Sequence, residues 1–115
     1  MSYRFYHMIG TAPDAIFKSL ADPTRRALFE RLSRDGEQTV RMLTSHSGVS
    51  QPAVSKHLRI LGLAGLVQAR HAGRETHYKA QPQALAPLVD WMSFYSQFWH
   101  NRFDKLEDLL ERMDP

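Results

Sequence analysis

The chain has 115 residues, of which 43% are hydrophobic and 23% charged, so it suits a single domain over residues 1–115 with one core. It contains no cysteine, which excludes a disulfide framework, thiolate metal sites and thiol redox sensing, and favours a cytoplasmic protein. No apolar run approaches the roughly 18 residues of a membrane span, and residues 1–10 lack the hydrophobic segment of a secretory signal.

The net charge of +3 is distributed unevenly along the chain. Residues 50–86 carry five basic residues and one acidic residue, whereas residues 87–115 carry three basic and six acidic residues. A basic middle segment indicates a surface that meets polyanions.

The first third of the chain is predicted to form an arm and two helices. The arm covers residues 1–12 and is rich in aromatic residues, and a short helix begins near Pro13. Asp22 can cap the free amide groups of a second helix while Pro23 occupies its first position. That helix should end before Gly36.

A helix-turn-helix is predicted for residues 39–61. Thr39 is the N-cap of its first helix, Gly48 allows a turn with positive φ, and Ser50 caps the second helix. The second helix has an apolar face at helical spacing, formed by Val54, Leu58 and Leu61. His57 borders this face and is interpreted as a packed or capping histidine rather than a base reader.

The next segment, residues 66–79, is predicted to form a β-hairpin. Its strands are residues 66–70 and 75–79, joined by residues 71–74. A helix, a tight turn, a second helix and a hairpin are typical of a winged helix-turn-helix, whose second helix usually lies in the DNA major groove.

Residues 87–113 form one long amphipathic helix, or two helices broken near Asn101. Large aromatic side chains follow its apolar face: Trp91, Phe94, Tyr95, Phe98, Trp99 and Phe103. So much apolar surface favours a homodimer that pairs through the first and last helices, although an intramolecular core is the alternative.

The outward face of the second helix carries side chains that can bind DNA, and residues 50–61 include no acid. Glutamine pairs with adenine and arginine with guanine, while serine and lysine serve bases or phosphates. An arginine at the hairpin tip can reach phosphates or the minor groove. The candidate DNA-binding residues are Ser50, Gln51, Pro52, Ser55, Lys56 and Arg59 on the helix, with Arg70 and Arg74 on the wing. A solvated helix face is the alternative.

Three strings of residues are similar to the ArsR-type (ArsR/SmtB) winged helix-turn-helix repressors of bacteria. They are residues 20–28 (LADPTRRAL), residues 49–61 (VSQPAVSKHLRIL), and Gly65, Leu66 and Val67 together with Gly73, Arg74 and Tyr78. The resemblance covers roughly residues 14–80. It implies a mostly α fold with a small β-hairpin wing, dimerising through its N- and C-terminal helices, and a homodimer that occludes a promoter until a signal releases it.

The metal motifs of this family are missing. Its cysteine pair would fall in residues 39–45, where this chain has no cysteine. The family's other metal site uses an Asp-x-His pair and a His-x-x-Glu pair on the last helix. Asp90 matches the first ligand, but Met92 and Phe103 replace the two histidines and Leu106 replaces the glutamate. We therefore predict no metal and no cofactor, and the effector is unknown. The alternatives are that the aromatic residues enclose a small apolar effector, or that the regulator senses nothing and is controlled only by its own abundance.

The sequence therefore predicts a transcriptional regulator that binds double-stranded DNA, a homodimeric repressor with an inverted-repeat operator. Activation instead of repression is the alternative, because DNA contacts alone do not distinguish the two. A winged helix that binds an acidic protein partner is a second hypothesis. An enzyme is disfavoured, because no nucleophile has a plausible base and no glycine loop cradles a phosphate.

Overall fold

The computed structural model describes residues 12–113, which form five α-helices, a short 3-10 helix and a three-stranded sheet. The predicted arm lies outside this range, except that Ala12 is already the first residue of a helix. The elements in chain order are α1 (Ala12–Ala21), α2 (Pro23–Asp35), β1 (Gln38–Thr39), α3 (Val40–Ser45), α4 (Gln51–Leu63), β2 (Val67–Ala72), β3 (Glu75–Ala80), the 3-10 helix (Pro82–Leu85) and α5 (Ala86–Met113).

Three helices begin at the predicted N-caps. The side-chain oxygens of Asp22, Thr39 and Ser50 accept hydrogen bonds from the backbone N–H three residues further on, at 3.0, 3.1 and 3.3 Å. Such a cap stabilises a helix by about 1 kcal/mol. As predicted, α2 ends before Gly36, which has a φ of 87°.

A single hydrophobic core holds the helices and the wing together. It consists of Ile16, Leu28, Phe29, Leu32, Leu43, Val54, Leu58, Leu61, Leu66 and Val67. The predicted buried face of α4 is confirmed, because Val54, Leu58 and Leu61 are completely inaccessible to solvent. This face fixes the rotation of α4 about its own axis.

The second helix of the helix-turn-helix extends two residues beyond the predicted end at Leu61. Gly62 does not interrupt it, since the N–H of Ala64 still bonds to the carbonyl of Ile60 at 3.2 Å. The chain turns instead at Gly65, which has a φ of 79°. The turn before α4 uses Gly48, with a φ of 77°, as predicted.

The hairpin is confirmed, but its strands are longer and its connection is shorter than predicted. β2 pairs with β3 from Val67 opposite Ala80 to Ala72 opposite Glu75. Only Gly73 and Arg74 connect them, because the cross-strand contact of His71 with Thr76 extends the ladder to the turn.

The sheet has a third strand that the sequence analysis did not predict. β1 pairs antiparallel with β3, with Gln38 opposite Tyr78 and Thr39 opposite His77. A strand of two residues is too short to show a period in its sequence. It attaches the wing to the segment that precedes α3.

α5 is one continuous helix of 28 residues, so the predicted alternative of a break near Asn101 is wrong. Its first turns contact the rest of the chain, through Leu88 on the core and through Trp91, whose ring centroid is 5.2 Å from that of Phe17. The radius of gyration is 18.8 Å, whereas a compact chain of about 100 residues has about 13 Å. The rest of α5 therefore projects from the core. Among the helices described, none is both long and apolar enough to span a bilayer.

Two leucines of α4 test how strongly its buried face anchors the helix. Leu58 is 0% exposed and Leu63 is 84% exposed. We expect Leu58→Ala to lower the free energy of unfolding by about 2–5 kcal/mol, because it leaves a cavity in the core. The matched Leu63→Ala should change it by less than about 0.5 kcal/mol. Urea unfolding of both variants measures the difference, and equal effects would contradict the assigned rotation of α4.

Candidate nucleic-acid interface

The polar face of α4 points away from the core and offers free hydrogen-bond donors. Gln51, Pro52, Lys56 and Arg59 are exposed, Ser55 is half-buried, and Ser50 is the exposed N-cap. Within residues 12–113, the side chains of Gln51, Ser55, Lys56 and Arg59 make no hydrogen bond or ion pair with other residues. These donors are thus available to an external partner.

Arg31 of α2 positions the first helix of the helix-turn-helix. Its guanidinium group donates to the carbonyl oxygens of Leu43 at 3.3 Å and Met42 at 3.1 Å. Both acceptors lie in the last turn of α3, where helix carbonyls lack partners within the helix. Sequence reasoning missed this role, because the contact joins residues that are 11 and 12 positions apart.

Arg25 connects the end of α1 to the middle of α4. Its guanidinium donates to the carbonyl oxygens of Ser19 at 2.8 Å and Lys18 at 3.1 Å, and lies 3.5 Å from Nδ1 of His57. The hydrogen bond from the backbone N–H of Arg25 is the main cause that lowers the pKa of Asp22, and His57 nearby adds to it. His57 is half-buried beside Arg25, which fits the prediction of a packed or capping histidine.

The tip of the wing lies next to the N-terminal turn of α4. A cleft of about 310 Å³ separates them. It is lined by Thr39, Val40, Arg41, Gln51, Ser55, Arg74, Glu75 and Thr76. The structure thus brings Gln51 and Ser55 of α4 together with Arg74 of the wing.

Arg41 and Glu75 also lie in this cleft, and sequence reasoning did not select them. Nη2 of Arg41 is 3.3 Å from Oε1 of Glu75, and the pair joins the start of α3 to the start of β3. The sequence does contain one signal that could have drawn attention to Glu75, because it is the single acid among residues 50–86.

Arg70 differs from the other basic residues predicted to bind DNA because, among the residues described, it alone forms an ion pair. Its Nε and Nη2 donate to the two carboxylate oxygens of Glu37, at 3.2 and 2.8 Å. These hydrogen bonds lower the pKa of Glu37 and raise the pKa of Arg70. Sequence reasoning could not find this pair, since Glu37 reaches the wing only through the unpredicted strand β1.

The aromatic residues of α5 line an open groove of about 820 Å³. Its walls are Val89, Trp91, Met92, Ser93, Tyr95, Ser96, Trp99, His100 and Phe103. All of these residues belong to one helix, so the groove is a helix face between projecting rings and encloses no volume by itself. An enclosed effector pocket would need a second surface.

The residues that the structure describes contain no group of three or more His, Asp or Glu side chains placed to hold a metal ion. Asp90, which matches one ligand of the family's metal motif, has a buried Oδ2 that accepts no hydrogen bond from residues 12–113. His100 lies 3.3 Å from Asp104, one turn along the same helix.

The pair of Glu37 and Arg70 predicts a change in acid titration. Because the pKa of Glu37 is lowered in the folded protein, the pair stabilises the fold above the ordinary pKa of 4.5, and this contribution is lost as the pH falls through the folded pKa. We expect Arg70→Ala to raise the pKa of Glu37 towards 4.5, measured by NMR of its carboxyl carbon. Arg74→Ala is the control and should leave that pKa unchanged. An equal effect of both variants would contradict a specific pair.

The segment that contains the helix-turn-helix is similar to known bacterial regulators. The family model described as "Bacterial regulatory protein, arsR family" matches residues 22–69. The HTH-type transcriptional regulator Rv2034 of Mycobacterium tuberculosis is 46% identical over 77 residues, which are 67% of this chain and 71% of that protein. A probable mercury resistance operon repressor of Streptomyces lividans is 42% identical over 82 residues, 69% of this chain and 65% of that protein. The crystal structure of an ArsR family transcriptional regulator has a TM-score of 0.69 at 30% identity, covering 77% of this chain and 91% of that one.

Proposed function

This chain belongs to the ArsR family of bacterial regulatory proteins, and we propose that it represses transcription by binding an operator through α4 and the tip of its wing. The family consists of DNA-binding transcriptional regulators with a winged helix, not of enzymes. The proposal concerns the residues that recognise DNA, the symmetry of the operator and the place of action, which is the bacterial cytoplasm.

The observation that carries the proposal is the meeting of α4 and the wing at one cleft. Gln51 and Ser55 line it from α4, and Arg74 lines it from the turn between β2 and β3. A recognition helix in the major groove with a wing beside it uses this arrangement to contact base edges and the neighbouring backbone together. An interaction with an acidic protein would not require donors matched to base edges.

The proposed roles follow from the chemistry of each side chain. Gln51 and Arg59 can pair bidentately with adenine and guanine, respectively. Lys56 binds phosphate, and Arg74 binds phosphate or enters the minor groove. Ser50, Pro52 and Ser55 complete the contact surface of α4. Arg70 makes the smallest contribution, because it must exchange Glu37 for DNA.

The exposed face of α5 supports a homodimer. Seven large residues occur at intervals of three and four, and each is 40–69% exposed: Met92, Tyr95, Trp99, Phe103, Leu106, Leu110 and Met113. A helix stripe of this kind in a soluble protein is normally covered by another helix. We propose that a second copy covers it, with α1 at the edge of the interface. The two copies of α4 then face an inverted repeat whose half-sites lie roughly 34–36 Å apart.

The operator and its readers can be tested together. Selection from a random duplex pool should yield an inverted repeat. Gln51→Ala and Arg59→Ala should each weaken binding by about 5- to 150-fold and relax the preference at one base pair, because each removes a bidentate contact. Lys56→Ala should weaken all duplexes and reduce the slope of log K against log salt by about 0.9. Fluorescence anisotropy at several salt concentrations measures these effects.

Arg112→Ala is the matched control for these variants, since it removes one positive charge from the last turn of α5. It should leave operator binding unchanged. Unaltered binding in the Gln51→Ala/Arg59→Ala double variant would refute direct recognition by α4. A footprint of a single unrepeated half-site would refute the inverted repeat.

The dimer is tested on α5 itself. We expect Leu106→Ser/Leu110→Ser to dissociate the dimer, because it places two hydroxyl groups in the apolar interface, and to weaken operator binding as a result. Asp108→Ser is the control on the opposite side of the same helix and should preserve the dimer. Sedimentation velocity measures the oligomeric state, and a monomeric parent protein would contradict the proposal.

A further inference from the structure

Arg41 and Glu75 form an ion pair inside the candidate DNA interface. Nη2 of Arg41 is 3.3 Å from Oε1 of Glu75, and both residues line the cleft that also contains Gln51, Ser55 and Arg74. The side chain of Arg41 is 81% exposed and that of Glu75 is 45% exposed. Any backbone phosphate that enters this cleft therefore meets both side chains.

The pair is easily exchanged. An exposed ion pair contributes little to stability, because water solvates both partners well when they separate. A guanidinium group binds carboxylate and phosphate oxygens with the same donors, and phosphate is an equally good acceptor. Glu75 is also the single acid among residues 50–86, and it lies where DNA binding would favour a neutral or basic residue.

We propose that Arg41 is a further residue that binds a phosphate of the DNA backbone. In the free protein, the carboxylate of Glu75 occupies the position on the Arg41 guanidinium where this phosphate binds. This inference rests on the proposed DNA binding by α4 and the wing. Glu75 then lowers the affinity for DNA in two ways, because Arg41 must leave it before binding phosphate and because its carboxylate remains beside the DNA backbone. Both effects act on any base sequence, so Glu75 weakens specific and non-specific binding alike.

A comparison with the pair of Glu37 and Arg70 shows that Arg41 can exchange its carboxylate partner for phosphate more easily than Arg70 can. Glu37 holds Arg70 with two hydrogen bonds and lies outside the cleft, next to β1. Glu75 holds Arg41 through one close contact and lies beside Arg74, at the tip of the wing. Replacing the carboxylate partner by a phosphate therefore breaks fewer contacts at Arg41 than at Arg70.

Removal of the Glu75 carboxylate should change how operator binding depends on salt concentration. When Arg41 of the parent protein binds a phosphate, a counterion leaves the DNA, but the freed Glu75 carboxylate attracts a cation. In Glu75→Gln the second event is absent. We expect this variant to bind the selected operator about fivefold more tightly, the size of one exposed charge interaction. The salt slope should steepen by up to about 0.9, the value for one phosphate.

A double-mutant cycle assigns the effect to Arg41. Arg41→Gln should bind more weakly than the parent protein, and adding Glu75→Gln to it should give a smaller gain than in the parent, because only the repulsion between the carboxylate and the DNA backbone is then removed. Glu30→Gln is the charge control, since Glu30 is an exposed acid of α2 without an ion pair among residues 12–113. It should change affinity little. Thermal unfolding of each variant checks that the fold is intact.

Equal or weaker binding by Glu75→Gln would overturn the inference and would indicate that the ion pair positions the wing. The same gain in the parent and Arg41→Gln backgrounds would also overturn it, because Glu75 would then act by general repulsion. In both cases the proposed function stands if the parent protein binds its operator. A parent protein without duplex binding would overturn the proposed function and this inference together.

Discussion

The burial of the apolar face of α4 in the core determines which of its polar side chains face solvent. Val54, Leu58 and Leu61 are completely inaccessible to solvent, so α4 cannot rotate without exposing part of the core. A helix has 3.6 residues per turn, and this geometry places Lys56 and Arg59 outward as soon as Leu58 is inward. The orientation of the proposed DNA-binding face is therefore determined by the hydrophobic core.

Two arginines of α2 add to this constraint by binding carbonyl groups at the ends of neighbouring helices. Arg31 binds the last turn of α3, and Arg25 binds the last turn of α1 and reaches His57 on α4. Helix ends leave four carbonyls without partners in the helix, so a guanidinium group with several donors can fix the position of one helix against another. α2 is thus the element against which the helix-turn-helix is placed.

The features that could be predicted from sequence depend on neighbouring residues, and the features that were missed depend on distant ones. A cap such as Ser50 acts on residues three positions away, and the apolar face of α4 repeats within one helix, so both are visible in the sequence. β1 becomes a strand only because β3 lies beside it, and Glu37 reaches Arg70 only through that pairing. Arg41 and Glu75 are 34 positions apart and meet only after the wing has folded onto α3. The order of the helices and the hairpin was therefore predictable, whereas strand β1 and the partners of the charged side chains were not.

The positive side chains around the cleft fall into two groups with different consequences. Lys56, Arg59 and Arg74 have no ion pair among the residues described, and they can meet DNA without giving up a contact. Arg41 and Arg70 each have a carboxylate partner and must exchange it. Because phosphate contacts act on any base sequence, pairing that restrains phosphate binding lowers the affinity for specific and non-specific duplexes alike. In the proposed function, Glu37 and Glu75 therefore affect how tightly the regulator binds any duplex, whereas the base readers of α4 determine which sequence it prefers.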